Sequence, residues 1–334
     1  MKTLSISTVL WAAVAASGCL DLDLLDDMVR MDAGHGEEPA AADLSFSESV
    51  GDKGTEGTTG GPPVADPNDT SPPLLNTPQC GGLETLDKKV CIAEGPYSAS
   101  FRFVTDEPAS VSLTVSNEQA RGGVLTEPWQ TTHHIAVAGL TSEADSTVAI
   151  IVEDINGNKT ELEQVALGTD GHPVSITEVL ADPIGPEPAQ EFVEIANFGS
   201  LEVDISGWMV DDNEDANGPL IPEGTMLGPG QVGVLVSASF DVNDNQDPAP
   251  DPTALMIVLE TSVGSNGLKN SEAETIELYD NEGTLVSQYR GQAGNPKEGH
   301  SVIRLLSELP DGDLFAFDLE PNPTPTPGQA PSLD

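Results

Sequence analysis

The sequence predicts an all-β chain, with two β-sandwiches in tandem behind a disordered acidic tether. Three observations carry that expectation. Short segments rich in Val, Ile, Thr and Phe recur, and several alternate apolar with polar residues as half-buried strands do. Turn residues separate them at a spacing typical of sandwiches. Gly (33) and Pro (27) are plentiful while aromatic residues make up 4%, a balance that suits turn-rich β domains joined to flexible chain. The 334 residues are enough for two or three ordinary domains.

Charge narrows the partners. The chain has 12 Lys+Arg against 56 Asp+Glu, a formal net charge of -44. Such a surface repels phosphate backbones, which argues against nucleic-acid binding. Acidity on this scale is first a solubility device. It also makes oxygen-seeking cations, Ca²⁺ above all, the natural small partners.

The first residues, MKTLSISTVLWAAVAASGCL, carry one early Lys, an apolar run from Leu4 to Ala16 and small residues before Cys19. This is the layout of a secretory signal rather than of a structural helix. The end of the run, Ala16-Ser17-Gly18-Cys19, resembles the lipobox of bacterial lipoproteins. The resemblance implies a signal peptide over 1–19 and lipidation of Cys19, with stable anchoring because each buried methylene adds about 0.8 kcal/mol. The alternative is ordinary signal-peptidase cleavage near Ala15 or Ala16. Leu20, in place of an Asp after the cysteine, implies the outer membrane or cell surface of a Gram-negative bacterium. Setting Cys19 aside leaves Cys80 and Cys91, an even pair in an exported chain and thus a disulfide expectation. A cysteine metal site there lacks further ligands.

Residues 20–79 read as the tether. GDKGTEGTTGGPPVADPNDTSPP offers almost nothing to bury, so it cannot offset its ordering entropy. From Cys80 onward the texture changes to YSASFRFVT, ASVSLTVS, HHIAVAGL and TVAIIVED, with an Asn-Gly turn in DINGN before KTELEQVAL. Residues 80–170 resemble a fibronectin type III domain, which implies an immunoglobulin-like sandwich.

A second resemblance begins at Val174. SITEVLADPIG, QEFVEIANFGS, VDISGWMVDD, IPEGTMLGPGQVGVL, SVIRL and PTPGQAP stand in the order of a lamin-tail domain's landmarks. It covers residues 171–330 and implies another immunoglobulin-like sandwich. In bacteria such domains are modules of exported proteins, sometimes beside hydrolases.

The candidate sites are acidic. In Asp211-Asp-Asn213-Glu-Asp215-Ala-Asn217-Gly218, oxygen ligands alternate as in a Ca²⁺ loop, and Asp241, Asn243 and Asp247 repeat the pattern. Counted from Asn213 the terminal ligand position falls on Gly224, and the second loop lacks both the glycine and the terminal glutamate, so neither is an EF-hand. Any Ca²⁺ they bind would be held weakly. Gly228 to Gly233 spells G-x-G-x-x-G, but a strand-like VLVSASF follows where a dinucleotide site needs a helix, so it reads as a turn. His133 and His134 are adjacent in a strand and point to opposite faces, so they cannot share one metal. Trp208 reads as a core aromatic.

Glu178 and Glu194 fall among apolar neighbours in two strands expected to pair. Strand parity places Ile176 and Leu180 with Glu178, and Phe192 and Ala196 with Glu194. Arg304 is the expected partner of this carboxylate cluster, while Asp182, Glu187 and Glu191 fall around a Pro-rich turn expected in solvent. No nucleophile elbow or paired acid and base with substrate-orienting groups is present, so a non-enzyme is expected. The expected role is a lipid-anchored surface module for binding or envelope structure, without a resident cofactor. Its membrane contact would be the lipid and its partner a protein or glycan. The alternatives are Ca²⁺- or carbohydrate-dependent adhesion, and an accessory domain of a secreted hydrolase system.

Overall fold

Every regular element among the described residues of the computed structural model is a strand. Those residues are 63–76, 78, 80, 84–86, 89–116, 120–140, 146–166, 171–212, 218–264, 266–291, 296–318 and 321–333. Cys19, most of the expected tether, Asn213 and Asp215 lie outside them. The described residues contain no helix long and apolar enough to cross a membrane.

The first half is built on one long strand. Its elements are β1 (Leu75–Asn76), β2 (Glu84–Leu86), β3 (Val90–Gly95), β4 (Ser98–Val115), β5 (Arg121–Val124), β6 (Gln130–Ala138), β7 (Ser146–Glu153) and β8 (Lys159–Ala166). The sequence suggested two strands parted by a turn at Thr105-Asp-Glu-Pro108. Instead β4 runs through, and its pairing with β6 slips between Val104 and Ala109. Pro108 cannot donate to a ladder, so it sits where pairing lapses. Before the slip β4 pairs with β3 and β6, and after it with β7. Phe101, Phe103, Ile135, Val137, Ile150 and Val152 meet in one core. The Asn156-Gly157 turn joins β7 to β8, with Gly157 in the left-handed region at φ 87° and its N–H donating to Asp154 O.

The tether boundary needs correction. Leu75 is buried in the core, and β1 pairs with β4. Upstream, Thr160 Oγ1 donates to Pro73 O, and Asn158 Nδ2 donates to Asp69 O. The described residues from Asp69 to Asn76 are therefore docked. A prolyl-rich segment can still be held through its carbonyls, which composition alone does not reveal.

Cys80 and Cys91 form a disulfide with Cα atoms 5.3 Å apart. It ties the entering chain to β3, where Cys91 lies opposite Arg102 of β4. Replacing both with Ser should lower unfolding stability by about 2–3 kcal/mol, read by calorimetry without reductant. An unchanged melting temperature would mean that the bridge closes a loop already ordered without it.

The second half comprises β9 (Val174–Leu180), β10 (Phe192–Asn197), β11 (Val203–Asp204), β12 (Met209–Asp211), β13 (Met226–Leu227), β14 (Val232–Val236), β15 (Leu255–Val258), β16 (Ile276–Tyr279), β17 (Leu285–Tyr289) and β18 (Val302–Ile303). A five-stranded sheet in the order β15-β14-β10-β9-β18 faces a three-stranded sheet, β12-β16-β17. Ile176, Val193, Ile195 and Leu235 from the first meet Val210, Ile276, Leu278 and Val286 from the second. Trp208 is buried in this core and its ring lies 4.8 Å from that of His172. The G-x-G-x-x-G segment is a turn: Gln231 N–H donates to Gly228 O, Gly230 sits at φ 65°, and β14 follows. A Pro-Gly pair at the centre of a type II turn explains both glycine and proline.

The two halves pack closely. Ala136 of β6 belongs to the second core, and Ser98, Ser100, Arg102 and His134 are buried on the same side of the first sheet. That is why β4 and β6 are buried on both faces along Ser98–Phe103 and His133–Ala138.

Candidate functional site

Glu178 and Glu194 are direct partners across β9 and β10, but a β-bulge follows at once. Ile195 pairs with Ile176, so Thr177 is the extra residue. A bulge shifts side-chain parity by one. Ile176 therefore joins Val179 in the inter-sheet core, not Glu178 as simple alternation suggested. Glu178 and Glu194 face the other side, beside the small cluster of Leu180, Phe192, Val234 and Val236.

That side is covered by the C-terminal segment. Glu178 Oε1 accepts from Thr326 N at 2.9 Å and from the Ser301 hydroxyl, and its Oε2 accepts from Thr326 Oγ1 at 3.3 Å. Glu194 Oε1 accepts from Thr177 Oγ1 at 2.6 Å, and its Oε2 from Gly328 N at 2.5 Å. Both side chains are buried. Burial raises the pKa of Glu178 despite these donors. Glu194 is pushed up to about 7, first by burial and then by the facing charge of Glu178.

Arg304 does not answer these charges. Its Nε donates to Ile176 O at 2.5 Å and its Nη1 to Leu309 O at 2.7 Å, while Nη2 pairs with Asp311. Its guanidinium lies 4.5 Å over the Phe317 ring. Ile176 N–H donates to Ser287 Oγ at 2.9 Å. The bulge that turns the glutamates toward the C-terminal segment thus exposes backbone groups that Arg304 and Ser287 satisfy.

Residues 168–292 match the Lamin Tail Domain family. This is a non-catalytic, immunoglobulin-like domain family. The comparison with curated proteins finds no match. The matched span holds β9 to β17. β18 and the C-terminal segment lie beyond that span yet seat on β9 and β10.

The acidic loops have structural duties. Asp211, buried on β12, lies opposite Glu277 of β16. Asp241 Oδ1 accepts from Asn243 N at 2.9 Å, closing a local turn. Asp247 spans two backbone amides, Ile184 N at 3.0 Å and Gly185 N at 2.7 Å, pinning the Pro-rich turn of the lamin tail domain. Among the described residues, a group of three carboxylates within 4.8 Å forms elsewhere, at Asp69, Glu107 and Asp154. Asp154 there accepts from Asn156 N and Asn158 N. Glu107 is raised by burial and by its acidic neighbours, Asp69 first among them.

Two buried groups escaped sequence reasoning. Glu191, expected in solvent, is 2% exposed and accepts from Leu268 N at 2.8 Å. It stands immediately before β10, with its side chain turned into the fold. The second is Asp313, whose Oδ2 accepts from His134 Nε2 at 2.8 Å and from the Ser100 hydroxyl. In a nucleophilic triad the hydroxyl bonds to the imidazole and the imidazole to the carboxylate. Here both bonds converge on the carboxylate, and all three residues are buried. Burial works to raise Asp313, but His134, Ser100 and the Phe315 amide hold it below the ordinary range. Arg102 lies 4.2 Å over Phe315, and Arg121 pairs with buried Glu308 at 2.7 Å. No local pattern marks Asp313, which lies 179 residues from His134.

His133, the other histidine of the pair, lines an open hollow of about 310 Å³ with Ser110, Thr126 and Glu127. Burial pushes its pKa down to about 4, so at neutral pH the ring is uncharged and a weak base.

Proposed function

We propose that the protein is a non-catalytic binding or structural module of the cell envelope, tethered through a lipid on Cys19 and working through its lamin tail domain. One observation carries the non-catalytic part. The buried ionisable groups of the second sheet, Glu178, Glu194 and Arg304, are bonded to backbone groups, hydroxyls and Asp311 of the same chain. Catalysis requires such groups to converge on a space a substrate can enter. The anchor rests on the placement of Cys19 after small residues, and on Leu20 for the outer membrane or cell surface of a Gram-negative bacterium. On this reading the partner is a surface protein or glycan, met at the sandwich loops or at an unpaired sheet edge.

Membrane fractionation of producing cells tests the anchor. The wild-type chain should sediment with membranes, and Cys19→Ala should move to the soluble fraction. A Cys19→Ala chain that still sediments overturns it. Turnover of any substrate that is lost on Glu194→Gln would overturn the non-catalytic reading.

A further inference from the structure

The C-terminal segment 322–333 is held unlike the rest of the second sheet. Its prolines at 323, 325, 327 and 331 have no N–H to give a ladder. The hold consists of a bridge between Asn322 and Ser301, Asp251 N–H to Pro327 O, Ser307 N–H to Pro331 O, Leu333 N–H to Glu308, and the contacts to Glu178 and Glu194. Gly328 sits at φ 92°, and a Cβ there would meet Asp251 and Ala254 within 3 Å. The segment is pressed tightly onto the carboxylates by few bonds.

We propose that residues 322–333 form a proton-dependent latch, closed over the Glu178–Glu194 pair in acid and loosening as the pH rises toward neutrality. The facing carboxylates are buried, and among the described residues no cation forms an ion pair with either. Across β10, Glu194 faces Val234 of β14, and beyond β9 the neighbour of Glu178 on β18 is Ile303. Asp251 approaches from the loop before β15, but its carboxylate is spent on Thr253 N and Oγ1. Among the described residues, the polar groups that meet the pair are those of the closed latch and the hydroxyls of Ser301 and Thr177.

The partners also show where a proton resides. Gly328 N–H can only donate, so Glu194 Oε2 must accept. Glu194 Oε1 meets Thr177 Oγ1, a hydroxyl that can accept as well as donate. Oε1 is thus the oxygen on which Glu194 can share a proton with the Thr177 hydroxyl. Removing that proton leaves two negative charges face to face in a buried site, and lifting the latch admits water to both.

The sign follows from linkage. Under the closed latch Glu194 is raised from its ordinary 4.5 to about 7, and water admitted when the latch lifts returns it toward the ordinary value. Closure is tightest below the ordinary value and weakens up to the closed-state value, by up to about tenfold per pH unit for one proton. The latch is independent of the proposed function, since it concerns only how the chain holds its own end.

Hydrogen exchange of the full chain between pH 5 and 8 tests this. After correction for intrinsic rates, protection of the Thr326 and Gly328 amides should fall by up to about tenfold per unit up to about pH 7. The Val193 and Val179 amides of the sheet should stay protected. In Glu194→Gln, which keeps an acceptor for Gly328 and cannot ionise, the slope should shrink or vanish. Should that variant not fold, Glu178→Gln removes the facing charge and should move the fall in protection to lower pH without abolishing it, because burial alone still raises Glu194. Flat protection in the wild-type chain overturns the latch, as does an unaltered pH profile in a folded variant.

Discussion

Replacing Arg304 with Ala should lower stability by about 3–5 kcal/mol, among the largest losses a single substitution causes. The side chain is fully buried. Its removal leaves the carbonyls of Ile176 and Leu309 without donors and opens a hole under Phe317. It also strips Asp311 of its cation, though Asp311 keeps the amide of Gln288 as donor. Arg304→Lys should recover only part of the loss, because a single ammonium cannot reach both carbonyls and Asp311 with the spread of a guanidinium. Arg304→Met, which restores volume but no donors, separates the two contributions. Chemical denaturation of the three variants measures them. If Met restores most of the stability, filling space outweighs the hydrogen bonds, and the account of the bulge given above is wrong.

Arg304 also shows where sequence reasoning stopped. Its burial and its nearness to β9 were foreseeable, since SVIRL reads as a strand beside ITEV. Its partners were not. The expectation that it answers Glu178 or Glu194 assumed unbroken alternation along β9, and one extra residue at Thr177 reverses that. A bulge has no reliable composition when no glycine or proline marks it. The apolar alternation of β7 was plain because burial on one face imposes it on every second residue. The stretch at Thr105–Pro108 resembled a turn because its residues favour turns, but it lies where β4 changes pairing partners. Asp241 and Asp247 have the residue types of a Ca²⁺ loop. The same oxygens serve equally as acceptors for local amides, and composition does not choose between those uses.

The two halves raise a related point. In β4 and β6, Ser98, Ser100, Arg102 and His134 give the polar alternation of a solvated face, yet they are buried. They are polar because the segment that covers them brings Asp313 and Phe315, and a carboxylate entering an interface needs donors waiting there. Partners so distant in sequence leave no local trace, so a buried polar interface reads as surface until the chain is seen folded.

Glu191 leads to the second large effect, with a sign opposite to that of ordinary acid denaturation. Burial, against the help of the Leu268 amide, pushes its pKa from 4.5 up to about 8, with Glu187 and Glu274 adding repulsion. The folded chain therefore holds a proton that the unfolded chain gives up above about pH 4.5. This contribution is complete below the unfolded value. It is lost as pH rises toward about 8, by up to about 1.4 kcal/mol per unit. Glu191→Gln should remove this loss, because a neutral amide keeps a carbonyl for Leu268 N–H and offers donors toward Glu187 and Glu274. The variant should match the wild type near pH 5 and exceed it in melting temperature at pH 8. Glu194 contributes a loss of the same sign that ends near pH 7, and Glu178 is raised as well, but both are common to variant and wild type and cancel in the comparison. Equal melting temperatures of variant and wild type at pH 8 would mean that Glu191 is ionised in the fold and that water reaches it.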